Sequence, residues 1–417
     1  MQYSYASAQR VAAQFALLFF VMQPAVAIAQ SAETPPSFNA AQIPGIKRIG
    51  ANYTIQNPVR SDGLLRIYVL TTPYGEVTVQ GDEMLRMRLN ELAALALLEK
   101  VSNSDSFGKA LAQAGLSPVV YAGQLLTNPI GTVNSTLAGV GGFFGRVSSG
   151  IANAGKTPDD TVSSVLGVTD QRRQLAATYG VDPYTDFPPL NAKLEQLSQA
   201  AALGGLTVTG ALLFAPLGLA GLIVSNLSTA YKLNDIGIEE LARKYTASQI
   251  LDLNRKQLAA MGLDPELGAR LLANRNYTPI DMAAMVAALD SMTGVKGREA
   301  YVACAAAVDS RAIAYVMRRQ AELMADDYRQ HSGYVRFVAL VGYPYVITRD
   351  GRIATLAPID ALSWTSETAA GFGSVTAERK RVSPKAHGEL RITGQATTLA
   401  KRRLQAQGWT VLELQRP

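Results

Sequence analysis

The chain has 417 residues, of which 48% are hydrophobic and 17% are charged, and its formal net charge is +6. This composition is typical of a folded protein, and the length allows two or three domains. The single cysteine, Cys304, excludes an intrachain disulfide, and the two histidines, His331 and His387, argue against a zinc site built from several His or Cys ligands. Neither a cofactor nor a metal is therefore predicted.

The first 29 residues have the pattern of a secretory signal peptide. Arg10 is the only charged residue among them, an apolar run follows at residues 11–21, and Ala27-Ile28-Ala29 offers small residues at the two positions that a signal peptidase recognises. A retained membrane anchor is the alternative, but the run is shorter than the roughly 20 residues that cross a bilayer. The sequence therefore predicts export, with a mature chain that begins at Gln30.

The N-terminal part of the mature chain predicts a small β element followed by a helix. Residues 30–60 are rich in Pro, Ala, Ser and Asn and are expected to form an extended leader. Two strands follow within residues 64–79, where apolar residues alternate on either side of the turn Pro73-Tyr74-Gly75. Asp82 then begins a helix that runs to about Val101, because its leucines recur at helical spacing on one face.

Two segments of 36 residues each, 110–145 and 196–231, contain no charged residue. The second includes the apolar run 204–223, which Pro216-Leu217-Gly218 interrupts. About 20 apolar residues reach across a bilayer, but glycine and proline breaks are tolerated there only where neighbours satisfy the backbone. Three interpretations stay open for this run: helices buried in a soluble core, membrane insertion, and an apolar ligand pocket. The residues that would enter a membrane are Leu206, Leu212, Leu213, Phe214, Leu217, Leu219, Leu222 and Ile223.

Residues 234–333 predict a region of short helical hairpins, with cap signals such as Asp264-Pro265. One stretch resembles the helix-hairpin-helix of DNA-binding proteins, and the resemblance is carried by Leu289, Met292, Gly294, Val295, Gly297 and Ala300. Residues 258–272 fit the same pattern less well. In that motif the backbone N–H groups of the hairpin face a phosphate, and glycine allows the close approach. The resemblance implies anion binding by Gly294, Lys296 and Gly297, and the alternative is an ordinary structural hairpin.

The last part of the chain predicts further strands. Three stretches with strand patterns are 335–341, 345–348 and 353–356, and Asp350-Gly351 is a strong hairpin turn between the last two. A strand, a helix and a strand are then expected at 389–393, 396–407 and 409–414. A βαβ unit of this size places its two strands parallel in one sheet.

These elements together predict a mainly helical α+β fold. It has a multi-helix core, a small N-terminal β element, a late β-hairpin and a C-terminal βαβ unit. The predicted divisions are a signal peptide, a leader, a β element with the apolar helical region, the helical-hairpin region, a β-hairpin with a helix, and a basic linker with the βαβ tail. Their bounds are 1–29, 30–60, 61–233, 234–333, 334–374 and 375–417.

The charge excess of the chain lies in its tail, because residues 375–417 hold nine basic and three acidic residues. Most of these cations form two clusters, which consist of Arg379, Lys380 and Arg381, and of Lys401, Arg402 and Arg403. Clustered cations favour phosphates through counterion release, and they favour anionic lipids and acidic polymers equally. The clusters are therefore candidate anion-binding residues, and a solvated charged face is the alternative.

The sequence shows no recognisable catalytic motif. Neither a G-x-S-x-G nucleophile elbow, a P-loop nor a dinucleotide-binding fingerprint occurs. Cys304 lies among alanines, where a free cysteine acts as a small buried hydrophobe, and His331 is interpreted as a cation at a helix C-terminus. The predicted function is therefore a non-catalytic, exported protein of the bacterial cell envelope that associates with a membrane or with protein partners. An exported nucleic-acid-binding protein and a hydrolase with an unrecognised site are the alternatives.

Overall fold

The computed structural model describes residues 32–50, 52–102, 168–204 and 231–414. Within these ranges the chain belongs to the α+β class, as the sequence predicts. The predicted signal peptide, the uncharged segment 110–145 and the eight candidate membrane-entering residues from Leu206 to Ile223 lie outside the described residues.

The N-terminal residues form an antiparallel sheet. Its strands are β1 (Ile49–Gly50), β2 (Tyr53–Ile55), β3 (Arg60–Ser61), β4 (Arg66–Thr72) and β5 (Gly75–Gln80). β4 pairs with β5 on one side and with β2 and β3 on the other, and β1 pairs with β2. The sequence predicts an extended leader at residues 30–60, and the described part of this range contributes β1 and β2 to the sheet. Ala40, Ile43 and Ile55 are buried in the core beneath this sheet, and these apolar contacts fold the segment.

Residues 32–38, which we call the N-terminal strap, connect this sheet to the C-terminal part of the chain. The backbone N–H of Glu33 donates to the carbonyl of Trp364 at 2.9 Å. The carboxylate of Glu33 accepts hydrogen bonds from the backbone N–H of Trp364 and from the hydroxyl of Thr397. The Glu33 side chain thus contacts two residues that lie 331 and 364 positions farther along the chain.

Replacement of Glu33 by alanine is expected to lower the free energy of unfolding by about 1–3 kcal/mol, because it leaves the Trp364 amide without its acceptor in a buried place. Urea denaturation of the mature protein measures this change. Glu76→Ala is the matched control, since Glu76 is an exposed carboxylate that accepts a hydrogen bond from Gln56 on the surface. Equal effects of the two substitutions would show that the strap contributes nothing specific.

Three helices form a small unit with its own core: α1 (Asp82–Ser102), α2 (Val168–Thr178) and α3 (Pro188–Gly204). Their buried contacts include Leu92, Leu95, Leu98, Leu175, Leu190, Leu194 and Leu197. α2 and α3 are an antiparallel pair joined by residues 179–187. α1 runs in the same direction as α3, because Glu91 of α1 contacts Thr185 before α3 begins, whereas Ser102 at the end of α1 accepts from Lys193 within α3.

The central part of the chain is helical. After the short pair β6 (Lys232–Leu233) and β7 (Ile236–Gly237) come α4 (Ile238–Lys244), α5 (Ala247–Ala260), α6 (Pro265–Leu272), α7 (Pro279–Ser291), α8 (Arg298–Ala306) and α9 (Arg311–His331). The side chains of Thr246, Asp264 and Thr278 cap α5, α6 and α7, which fixes where these helices begin. α7 is buried from Ile280 to Leu289 and forms the centre of the largest hydrophobic core.

The C-terminal part forms a mixed five-stranded sheet. Its elements in chain order are β8 (Tyr334–Leu340), β9 (Tyr343–Thr348), β10 (Ile353–Ala357), β11 (Ala361–Leu362), α10 (Ser366–Val382), β12 (Gly388–Ile392), β13 (Gln395–Ala396), α11 (Thr398–Ala406) and β14 (Trp409–Glu413). The strand order is β14-β12-β10-β9-β8, with β10, β12 and β14 parallel and the rest antiparallel. β12, α11 and β14 therefore form a parallel strand–helix–strand unit.

The first residues of the predicted basic linker, from 375 to 382, belong to α10. α10 continues to Val382 instead, because Thr365 caps its start and Phe372 and Val375 are buried against the sheet. The expected division at residue 374 thus falls inside a helix.

Candidate functional site

The two basic clusters lie on neighbouring helices, and one of their members is buried. Arg379 is only 4% exposed. Its guanidinium stacks over the ring of Trp409 and donates to the backbone carbonyls of Ala386 and Gln407. The burial of Arg379 and the use of its two terminal nitrogens within the protein argue against the predicted binding of an external anion.

The other members of the clusters are accessible, and two of them form ion pairs. Lys380 and Arg402 are exposed. Arg381 pairs with Glu378 at 2.6 Å, and Lys401 pairs with Glu413 at 2.9 Å. Arg403 is half-buried. Contacts of this kind fit a solvated charged face better than a concentrated phosphate-binding surface.

The segment that resembles a helix-hairpin-helix does form a turn between α7 and α8. Gly294 has a φ of +80° in this turn, as Gly262 has between α5 and α6 with a φ of +77°. The backbone N–H of Lys296 donates to Val335 at 3.0 Å, and the carbonyl of Lys296 accepts from Phe337 at 2.8 Å. The amide of Lys296 is therefore bound to strand β8 and does not face a phosphate, whereas its side chain is exposed.

The close approach of strand β8 also requires a glycine at position 297. Its φ is +74°, and a Cβ atom placed there would lie 2.6 Å from the carbonyl oxygen of Phe337. Glycine thus permits close approach of β8, and the proposed approach of a phosphate is not needed to account for it. Gly294 differs, because a Cβ atom at that position would meet nothing within 4 Å and the residue is exposed.

An alternating chain of ion pairs lies where the strands of the C-terminal sheet begin, and we call it the charge ladder. It consists of Asp350, Arg352, Glu389, Arg391, Asp327 and His331. Glu389 is 3% exposed and bonds both arginines, and Asp327 accepts from Arg391, from His331 and from the hydroxyl of Tyr334. The ladder therefore joins the β9–β10 turn, β12 and the end of α9.

His331 is the exposed end of the charge ladder. Its Nδ1 atom lies 3.0 Å from the carboxylate of Asp327 and 3.2 Å from the Asp327 carbonyl. A neutral imidazole that donates through Nδ1 turns the lone pair of Nε2 toward solvent, as in a general base. Among the described residues, however, no serine, threonine or cysteine forms a hydrogen bond with this imidazole. The imidazole lies at the C-terminus of α9 beside a carboxylate, the position at which the sequence predicts a favourable cation.

Two other chemically notable groups are buried. Asp360 is 1% exposed and accepts the backbone N–H groups of Arg66 and Asp82, each at 3.0 Å, so it caps the start of α1 from the C-terminal part of the chain. Burial raises the pKa of Asp360 well above its usual range. Burial also raises the pKa of the Cys304 thiol to about 12, which keeps the thiol protonated and unreactive.

The end of α1 and the start of α2 lie beside the same stretch of α3. Ser102, the last residue of α1, accepts a hydrogen bond from Lys193 of α3 at 3.2 Å. Arg172, one turn after the start of α2, pairs with Glu195 of α3 at 3.3 Å. α3 continues from Lys193 to Gly204, about 16 Å farther in the same direction. The chain therefore leaves α1 and enters α2 beside the same stretch of α3, and α3 extends beyond that level.

Comparisons with known proteins find no relative: no family model matches the sequence, and no curated protein or solved structure is significantly similar to it. In the part of the chain that the structure describes, no helix is both long and apolar enough to cross a bilayer. The same residues contain no group of three or more His, Cys, Asp or Glu side chains placed to hold a metal ion.

The sequence did not predict the charge ladder. The two ion pairs that connect its separate elements, Arg352–Glu389 and Asp327–Arg391, join residues that lie 37 and 64 positions apart, so no local spacing reveals them. The alternation of Glu389 and Arg391 within a short strand was the available signal, since alternate residues of a strand share a face.

Proposed function

We propose that this chain is an exported, non-catalytic protein of the bacterial cell envelope whose uncharged segments associate with a membrane or with a membrane protein. One observation carries the proposal: α1 ends and α2 begins beside the same stretch of α3, at Lys193 and Glu195, and α3 itself continues into the second uncharged segment, 196–231. Both segments can then meet the same apolar partner while the charged remainder of the protein stays in water.

The signal-peptide pattern supports the export part of the proposal, because an apolar run and an A-x-A site precede the described residues. The placement of the basic residues argues against the nucleic-acid-binding alternative, since Arg379 is buried and the amide of Lys296 is bound to β8. The imidazole of His331 likewise lacks a nucleophile as partner among the described residues.

The membrane association is tested by a charge within the run 204–223. Leu213→Arg is expected to release the protein from vesicles that resist alkaline carbonate, because a charge at the centre of a membrane helix costs about 2.5–3.5 kcal/mol. Binding should therefore weaken roughly 100-fold. Flotation of vesicles with the mature protein measures the bound fraction.

Ile49→Arg is the matched control, because Ile49 is 65% exposed in the described structure and a charge there meets only water. It should bind vesicles as the unaltered protein does. A mature protein that is monomeric without detergent and does not bind vesicles would overturn the membrane part of the proposal. N-terminal sequencing that finds Met1 in place of Gln30 would separately overturn the export part.

A further inference from the structure

The loop between α2 and α3, residues 181–187, holds the three-helix unit against the central helices, and we call it the clasp loop. The hydroxyl of Thr185 donates to Glu91 of α1. On the other side, Asp182 accepts from the hydroxyl of Thr278, which begins α7, at 2.6 Å. The hydroxyl of Tyr184 donates to the carbonyl of Tyr245 at 3.0 Å. Three polar residues of the loop thus contact three different parts of the chain.

Carboxylates outnumber the arginines at this junction. The four acids that meet there are Glu91, Asp182, Asp186 and Asp281. Arg88 pairs with Glu91 and Asp186, and Arg311 pairs with Asp186 and Asp281. Arg318 pairs with Asp281 and also with Glu322. A partly buried cluster with more acids than bases is stabilised when some of the acids are protonated.

Glu91 is one of the acids that this arrangement favours in the protonated form. Its side chain is 2% exposed, and its ion-pair partner Arg88, at 2.5 Å on the same helix, is shared with Asp186 of the clasp loop at 3.3 Å. Arg88, Thr185 and Arg311 of α9 stabilise the Glu91 carboxylate, whereas Asp186 repels it. Burial outweighs the attraction and raises the pKa of Glu91 to about 7.

Asp182 is the second such acid. In the described residues it forms no salt bridge, and its hydrogen bonds come from the Thr278 hydroxyl and from the backbone N–H of Tyr184 at 2.8 Å. Asp281 of α7 repels the Asp182 carboxylate. Arg311 attracts this carboxylate, but the attraction is weaker than the cost of burying its charge. Burial is the largest effect and raises the pKa of Asp182 to about 6.

We infer that the clasp loop closes with the uptake of protons, so that it holds the three-helix unit firmly near pH 6 and loosens as the pH rises toward 8. When the loop opens, Glu91 and Asp182 return to water, where carboxyl groups have their ordinary acidity. The closed state therefore binds protons more tightly than the open state. By linkage, lowering the pH favours closure and raising it favours opening.

The expected size of the effect follows from the two acids. Between pH 6 and pH 8 the opening equilibrium should increase about tenfold through Glu91 and about twofold through Asp182, or about 20-fold in total. Most of the change should occur below about pH 7.5, because Glu91 is then largely ionised in the closed state as well.

Amide hydrogen exchange of residues 181–187 in the full mature protein tests the inference. Protection, corrected for the intrinsic exchange rate at each pH, should fall about 20-fold from pH 6 to pH 8. Glu91→Gln keeps an acceptor for Thr185 but carries no charge, so it should reduce the fall to about twofold. Asp182→Asn should reduce it to about tenfold.

Glu240→Gln is the matched control, because Glu240 is an exposed carboxylate that pairs with Lys244 at 2.7 Å and lies outside the junction. It should leave the pH dependence of the clasp loop unchanged. The unaltered protein decides the question even if a variant fails to fold. Protection in residues 181–187 that changes less than about twofold between pH 6 and pH 8 would overturn the inference, as would a full change of about 20-fold in Glu91→Gln.

Discussion

Replacement of Asp281 by alanine is expected to lower the free energy of unfolding by about 3–5 kcal/mol, because it removes a buried carboxylate that Arg311 and Arg318 share. The carboxylate of Asp281 pairs with Arg311 at 2.7 Å and with Arg318 at 3.0 Å, and the Asp281 and Arg318 side chains are each 3% exposed. Asp281 also accepts the backbone N–H of Thr278 and so helps to begin α7. Urea denaturation of the mature protein measures the change.

The matched control is Asp252→Ala. Asp252 pairs with Arg255 on the surface of α5, where both side chains are at least 60% exposed. Exposed pairs of this kind contribute about 0–1 kcal/mol, so the control should unfold at nearly the same urea concentration as the unaltered protein. If Asp281→Ala were no more costly than Asp252→Ala, the buried ion pairs would not stabilise the junction between α7 and α9.

Several elements could be predicted from the sequence because their signals are local. The leucine spacing after Asp82 marks α1, which the structure places at Asp82–Ser102. The Asp350-Gly351 turn joins β9 and β10, and Gly351 has the positive φ, +80°, that such a turn needs. The final strand, helix and strand are short elements separated by turns, and their strands pair in parallel. Each of these signals lies within a short stretch of chain.

The features that the sequence could not predict depend on distant partners. Residues 32–50 have the composition of a leader, yet they fold because Ile43 and Ile46 find an apolar surface formed by β4 and α1. Arg379 belongs to a basic triplet, and only the approach of Trp409 and Gln407 shows that it is buried. The sequence does not show which backbone carbonyls will accept hydrogen bonds from an arginine.

The glycine hairpin illustrates how a correct local prediction differs from a functional one. The pattern of residues 289–300 predicted a turn between two helices, and α7 and α8 have that turn. The role of Gly297, however, is decided by Phe337 of β8, which approaches it from a later part of the chain. The same glycine pattern therefore fits a phosphate or a strand, and only the tertiary contact distinguishes them.

Replacement of Gly394 by alanine is expected to lower the free energy of unfolding by about 3 kcal/mol or more, as severe overpacking does. A Cβ atom at this position would overlap the backbone carbonyl of Asp360. Backbone cannot move as a flexible side chain can, and Asp360 is held by its bonds to the amides of Arg66 and Asp82. The added methyl group should therefore disturb the contact between the N-terminal sheet and the C-terminal part. Urea denaturation measures the loss.

The matched control is the same substitution at Gly373, in the interior of α10, where nothing lies within 4 Å of a Cβ atom. Alanine there should raise the free energy of unfolding by about 0.5–1 kcal/mol, because glycine is a poor helix former. The two Gly→Ala variants should thus shift the unfolding midpoint in opposite directions. Gly394 has no left-handed φ, so the contact with Asp360 is the source of the expected strain at that position. A Gly394→Ala protein as stable as the unaltered one would mean that Asp360 is not held as closely as the structure places it.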